Sequence, residues 1–334
     1  RAVLTGDELL AMDAATLRRR VAEVCIYARM KPHQKLALVE ALKADGEVVA
    51  MTGDGVNDAP ALKAAHVGVA MGLRGSDVAR EAASLVLMRD DFGALVEAIA
   101  RGRRTFDNLR RALVYTIAVH LPIVALAMLP VMLGLPLVLT PLHIAFLELV
   151  IDPACSLAFE AEQADGDVMR RPPRPRSESV MPVRAMVLSL LQGLLVTVIV
   201  MGVDLTLLQQ PQWAHLAGSG AFTALVVANA MLILPSRALG LRRGRLLSGL
   251  PVVSRWVLAV TLLALGLFTG WSWLARMLGL APLPPQLWAA CAGAGVLSLL
   301  PTTLLARGLG AWSADRSADQ AVDQAVDPPA RAAA

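Results

Sequence analysis

The sequence predicts a parallel α/β unit followed by an all-α bundle of membrane-spanning helices. Three observations predict this. Charge is concentrated in residues 1–111, and from residue 112 onward long apolar runs alternate with short arginine-rich loops. The hydrophobic fraction, 56%, exceeds that of an ordinary globular chain. Within the charged part, short apolar runs alternate with stretches of helical spacing, the pattern of strands joined by crossover helices.

In the charged part, Val21 to Ala28 reads as a strand and His33 to Leu42 as a helix. Glu47 to Met51 is strand-like and enters Thr52-Gly53-Asp54-Gly55. Asp58 to Ala65 is helical, Val67 to Met71 a strand, Ser76 to Ala82 a helix and Ser84 to Met88 a strand. Together they predict one parallel sheet. The stretch Asp91 to Arg111 keeps helical periodicity, has no breaker after Gly102, and runs straight into an apolar segment. It predicts a long helix leading from the charged unit into the bilayer.

Six spans are predicted: Leu113–Leu133, Val138–Phe159, Ala185–Leu208, Leu216–Leu234, Trp256–Trp273 and Leu287–Leu305. Each is about 18–24 residues long, which suits a hydrocarbon core of roughly 30 Å at 1.5 Å per residue. Arginines cluster in every second loop. Arg101, Arg103, Arg104, Arg110 and Arg111 precede the first span. Arg170, Arg171, Arg174, Arg176 and Arg184 separate the second from the third. Arg237, Arg242, Arg243, Arg245 and Arg255 separate the fourth from the fifth, and Arg276 is the exception to the pattern. Positive loops face the cytoplasm, so the α/β unit and both ends of the chain are expected there. In a bacterial host the bilayer would be the inner membrane. The tail 309–334, rich in Ala, Asp and Pro, lacks apolar surface to bury and is expected to be disordered.

Composition also excludes. The net charge of +4 resides in loops beside apolar runs, and aromatics are only 4%, so no nucleic-acid partner is expected. Cys25, Cys155 and Cys291 are far apart with no CxxC pair, which argues against a disulfide framework or zinc site. The chain opens on Arg1 without a signal peptide, and reads as a piece of a longer protein.

The chemistry concentrates in Met51-Thr52-Gly53-Asp54-Gly55-Val56-Asn57-Asp58-Ala59-Pro60-Ala61-Leu62-Lys63. This is a strand ending in a glycine-flanked acidic loop that opens a helix. Gly53 and Gly55 allow a tight turn and close approach to a ligand. Asp54 falls at the carboxyl end of its strand, where α/β sheets bind ligands. A carboxylate there suits Mg²⁺, a hard cation that keeps phosphate nearby. Asn57 and Asp58 can orient phosphate oxygens, water or the loop, and Lys35 adds positive charge against a phosphoryl group. A solvated turn is the plainer alternative. A calcium-binding EF-hand loop starting at Asp54 needs Glu at its twelfth position, which is Ala65, and no Gly-Lys-Ser/Thr completes a Walker loop.

The run TGDGVNDAPALKAAHVGVAMG resembles the hinge signature of P-type ATPases. The resemblance extends to Arg29, to Pro32-His33-Gln34-Lys35, and to Met169-Arg170-Arg171-Pro172-Pro173-Arg174, which looks like a loop of the calcium-pump branch. It implies a haloacid-dehalogenase-like (Rossmann-like) partial domain, the C-terminal part of the phosphorylation domain, over residues 1–90. It further implies a stalk helix at 91–111 and a membrane bundle at 112–308. By the same resemblance Asp54 is the Mg²⁺ ligand and Asp58 supports the phosphorylated states. Arg29, Lys35, Thr52, Gly53, Gly55 and Asn57 line the nucleotide or phosphoryl group. The implied cofactors are Mg²⁺ and ATP. Thr5-Gly6-Asp7 spells another motif of the family, yet its spacing to Lys35 fits a different stretch. The family's phosphorylated DKTGT sequence does not occur here. This chain alone is therefore expected to be inactive, with the actuator, nucleotide-binding domain and first helices supplied by an N-terminal part of the same polypeptide.

Charged groups inside spans are costly and therefore informative. Glu148 and Asp152 in the second span are four apart, hence on one face of an α-helix, and Pro153 follows, freeing a carbonyl. The first span offers His120 with Pro122. Two carboxylates beside a broken helix form a cation site; a polar cluster tying helices together is the alternative. By resemblance, Asp152 matches an acidic ligand of calcium pumps. Glu148 and His120 stand where those carry asparagine, Ile123 where they carry glutamate, and Ile151 where they carry threonine. Asn229 in the fourth span lies near another glutamate position. These departures leave Ca²⁺/Mn²⁺, a monovalent cation and H⁺ open, and six spans argue against the heavy-metal branch. The resulting expectation is an ATP-driven cation translocase in a lipid bilayer. A non-catalytic membrane regulator and a phosphatase fused to a channel-like bundle are the rivals.

Overall fold

A computed structural model describes residues 3–21, 23–163, 166–174, 179–237 and 250–308, with the side chains of 14 and 150–155 outside the description. The chain divides into two compact units, Arg1–Ala100 and Arg101–Ala334.

The first unit opens on strand β1 (Val3–Thr5), which runs into α1 (Gly6–Leu10) through a capping box. The Thr5 amide donates to Glu8 Oε2 at 2.8 Å, and the Glu8 amide donates to Thr5 Oγ1 at 3.4 Å. So the threonine of the Thr5-Gly6-Asp7 look-alike serves to start a helix. Helix α2 (Ala14–Val21) leads to β2 (Ile26–Ala28), which pairs in parallel with β1. The run from Val21 thus divides between a helix end and a short strand. Helix α3 (Pro32–Ala44), with proline in its first turn, precedes β3 (Ala50–Gly53). A 3₁₀ turn, Val56–Asp58, leads into α4 (Ala59–Ala64), β4 (Val67–Met71), α5 (Asp77–Ala82) and β5 (Leu85–Leu87). Strands β3, β4 and β5 form a parallel sheet in sequential order, each crossover made by one helix. Among the described residues, the expected single sheet is thus two hydrogen-bonded pieces, of two and three strands. Strands of three to five residues leave little length for continuous pairing.

Leu4, Leu9, Leu17, Val21 and Val24 form the core beside β1 and β2. Leu62 of α4, Ala70 of β4 and Ala79 of α5 form another cluster on the three-stranded sheet. Asp90, after β5, lies in the left-handed region (φ 54°). Burial alone would raise its carboxyl pKa, but hydrogen bonds from the Leu73, Arg74 and Gly72 amides and the Arg74 side chain outweigh that and lower it.

Helix α6 (Phe92–Met132) is a single element of 41 residues containing Pro122 and Pro130. Helix α7 (Pro141–Phe146) continues through a π-helical turn, Leu147–Ile151, into α8 (Asp152–Glu160). Helix α9 (Val183–Leu208) is followed by a 3₁₀ turn, Ala214–Leu216, and α10 (Ala217–Arg237). Then come α11 (Val252–Gly270), α12 (Ser272–Met277) and α13 (Pro285–Leu297), the last continued by helical residues 299–308. Five helices among the described residues are long and apolar enough to cross a membrane. The second predicted span, Val138–Phe159, is made of three joined helical segments. Pro153 lacks the N–H that would return to the Leu149 carbonyl, and the chain winds as a π-helix just before it. The 309–334 tail and Arg176, Arg242, Arg243 and Arg245, all named from the sequence, lie outside the described residues.

Helix α10 is the centre of this unit: 89% of its apolar window is buried, against 28–39% for the other four. At the crossing of α9 on α6, a Cβ on Gly193 would lie 2.7 Å from the Ala118 carbonyl. That carbonyl is the one Pro122 cannot satisfy, so a proline on one helix and a glycine on the other permit the close approach.

Candidate functional site

The glycine-flanked acidic loop lies where β3 ends. Asp54 follows Gly53 at the carboxyl edge of the parallel sheet and is exposed. Its carbonyl accepts a hydrogen bond from the Ser76 amide (2.8 Å), which ties the loop to the N-cap of α5. Among the described residues its carboxylate has no hydrogen bond or ion pair, so two oxygens are free for a hard cation. Thr52 lies on β3 opposite Val69, and Asn57 is exposed in the 3₁₀ turn.

Asp58 is buried, and its Oδ1 accepts from Lys35 Nζ at 2.6 Å. Lys35 comes from α3, 23 residues earlier, and remains partly exposed. The two residues are therefore one device: Asp58 holds the ammonium at the loop. Gly53 is glycine because of Asp58. A Cβ there would lie 2.6 Å from Asp58 Cβ and 2.9 Å from its Oδ2. Gly55 has φ −97°, open to any residue, so the tight turn expected of it is not what it supplies. Overpacking costs about 1–3 kcal/mol, and relief at Gly53 requires a shift of Asp58, the residue that holds Lys35. Gly53→Ala is expected to lower Tm. A wild-type Tm would contradict this packing.

Arg29 follows β2, is exposed, and has φ 56°; its carbonyl would lie 2.6 Å from a Cβ on Gly6. Among the described residues, Arg29 makes no hydrogen bond or ion pair with Asp54, Asp58 or Lys35.

In the helical unit the structure brings together two residues singled out separately from sequence. His120 Nε2 of α6 lies 3.3 Å from Glu148 Oε1 in the π-helical turn. His120 Nδ1 faces the Thr116 carbonyl at 2.7 Å. A carbonyl only accepts, so Nδ1 carries a hydrogen and Nε2 is directed to the carboxylate. His143 is arranged the opposite way. Its Nδ1 accepts from the Thr140 amide and its Nε2 donates to the Leu278 carbonyl, which makes it a structural residue. The four-residue spacing of Glu148 and Asp152 spans the junction between the π-helical turn and α8. The side chain of Asp152 lies outside the described residues. Asn229 is fully buried in α10, and neither its Oδ1 nor its Nδ2 has a hydrogen-bond partner, so it does not bond His120 or Glu148 here. Among the described residues no three His, Cys, Asp or Glu side chains converge as a metal site.

Sequence reading passed over Asp204. It is 2% exposed in α9, and its Oδ2 lacks a partner. The signal was present: an acidic residue inside the third predicted span.

Comparison with known proteins adds identity to this geometry. A family model described as cation transporting ATPase, C-terminus, matches residues 136–307, and one described as haloacid dehalogenase-like hydrolase matches 1–66. A calcium-transporting ATPase of Bacillus subtilis is 41% identical over 178 residues, 53% of this chain and 20% of its own length. A calcium-transporting ATPase of Listeria monocytogenes is 35% identical over 236 residues, 70% of this chain and 26% of its own. The sodium/potassium-transporting ATPase subunit alpha-2 of Gallus gallus is 37% identical over 246 residues, 72% of this chain and 22% of its own. The chain thus spans roughly a fifth to a quarter of the length of these relatives. Its first unit is a haloacid dehalogenase-like partial domain, and its second carries the apolar helices of a multi-pass membrane protein. With one family model covering more than half of it, the chain belongs to the P-type cation-transporting ATPases.

Proposed function

We propose that the chain supplies the phosphoryl-binding edge and the intramembrane cation site of an ATP-driven cation pump. One observation carries this reading. The loop bearing Asp54 and the Lys35–Asp58 pair leads, along the chain, to one uninterrupted helix, α6, which carries His120 to its contact with Glu148. In this reading residues 1–90 belong to the phosphorylation domain, 91–111 form a stalk, 112–308 form the membrane bundle, and 309–334 form a tail. The remainder of the polypeptide contributes the phosphorylated aspartate and the nucleotide-binding domain.

The chain's own residues divide the work at the phosphoryl end. Asp54 holds Mg²⁺, which when bound neutralises phosphoryl oxygens. Asp58 fixes Lys35, whose ammonium faces the charge that develops on the transferred group. Thr52, Asn57 and Arg29 bind nucleotide or phosphate oxygens. In the bilayer, Glu148, Asp152, His120 and Asn229 supply ligands for the transported cation. Asn229 supports this through its two orphaned polar atoms, because buried amides are rarely left unpaired. The arginine pattern of the loops supports a cytoplasmic α/β unit and cytoplasmic ends in a cell membrane.

An imidazole, carboxylates and an amide are a mixed donor set, which leaves Ca²⁺/Mn²⁺, a monovalent cation and H⁺ as substrates to be separated by experiment. The test is ATPase stimulation of the full-length protein by a panel of cations, with a pH series. Stimulation by one class is the expected result. Hydrolysis indifferent to every cation and to pH would contradict the proposal.

A further inference from the structure

Residue 162 ties together three elements of the helical unit. Its carboxylate is gripped by Arg237, the last residue of α10: Nη2 lies 2.7 Å from Oε1, and Nε donates to Oε2. Its main-chain carbonyl accepts from Arg104 Nε at 2.7 Å and Asn108 Nδ2 at 3.1 Å, both on α6. Arg111 donates to Asn108 Oδ1 (3.3 Å), which leaves the Asn108 amino group for that carbonyl. Glu162 and Arg237 are 8% and 4% exposed.

A buried ion pair is a poor stabilising device, because desolvating both charges offsets most of their attraction. What a bidentate Arg–carboxylate pair does supply is a fixed geometry. Here the fixed point lies two residues beyond the end of α8, which follows directly on the π-helical turn carrying Glu148. Any movement of that segment therefore meets α6 and α10 at Glu162.

We propose that Glu162 is a positioning residue that couples occupancy of the intramembrane cation site to α6. This rests on the pump reading above. The Arg237 pair holds the residue, and the two α6 side chains read its position through the carbonyl.

The test uses the full-length protein and whichever of Ca²⁺, Mn²⁺, Na⁺ or K⁺ stimulates it. Two reactions are measured: phosphorylation from ATP, which requires the cation, and phosphorylation from inorganic phosphate without it. Glu162→Gln keeps the shape and the carbonyl contacts but removes the charge. It is expected to raise the cation concentration for half-maximal phosphorylation by about tenfold while phosphate labelling stays within about twofold. The exchange Glu162→Arg with Arg237→Glu restores an opposite-charge pair and should recover most of that loss. Arg104→Gln, at a partly exposed position, leaves the ion pair intact and should shift the cation requirement by about threefold. Unchanged cation requirements in Glu162→Gln and Arg104→Gln overturn the proposal. So do parallel losses of both reactions and of Tm in every variant, the mark of a merely structural role. A wild-type protein with no cation-dependent phosphorylation removes the pump reading itself, and this inference with it.

Discussion

Asp54→Asn in the full-length protein is expected to lower cation-stimulated ATP hydrolysis by about a thousandfold, the upper end of what one electrostatic group contributes to a transition state. Asp54 is exposed at the carboxyl edge of the sheet, and its side chain bonds nothing among the described residues. Its carboxylate is therefore not needed to hold the loop, and surface substitutions of this kind move stability by no more than about 0.5 kcal/mol. The amide of asparagine can still offer an oxygen, but without the negative charge that suits Mg²⁺. Lost turnover with an unchanged Tm is thus the signature sought. Asp58→Asn should behave differently, because it loosens Lys35 from a buried site and lowers Tm as well. Normal turnover in Asp54→Asn would remove Asp54 from the chemistry.

Glu148→Ala and Asp152→Ala are each expected to abolish cation-dependent phosphorylation from ATP while sparing phosphorylation from inorganic phosphate. Carboxylates are expensive inside membrane spans and persist where they bind something. Glu148 occupies a π-helical turn, a distortion that recurs at functional sites, and faces an imidazole whose other nitrogen is fixed on the Thr116 carbonyl. Outer-shell partners of a metal ligand alone affect affinity by roughly 10–100-fold, so loss of a direct ligand should shift the cation requirement at least that far. An unchanged cation requirement in either variant would take that residue out of the site.

Much of this was legible because it is local. Strand β4 occupies Val67–Met71, as alternation of the sequence predicts, and Ser76 caps α5 where the helical pattern begins. Helix α6 runs through the predicted stalk without a break, since no glycine or proline interrupts it between Gly102 and Pro122. The acidic loop stood out because few chains place two glycines and two aspartates so closely after a strand.

What stayed hidden is contact between residues distant in sequence. Nothing in the chain announces that Lys35 reaches Asp58, that His120 meets Glu148, or that Arg237 finds Glu162 across 75 residues. The segment from Val3 to Val21 carries two helices and a strand, with three consecutive arginines masking the periodicity of α2. The π-helical turn was hidden as well. The pattern of Pro141 to Glu160 reads as one α-helix, whereas the chain winds as a π-helix over Leu147–Ile151, just before Pro153.

The most direct test of the central claim is tracer-cation flux into sealed vesicles containing the full-length protein, measured with and without ATP. The account predicts uptake that requires ATP and disappears both in Asp54→Asn and in Glu148→Ala, although these residues lie in different units of the chain. Flux that proceeds without ATP, or that survives either substitution, would contradict it.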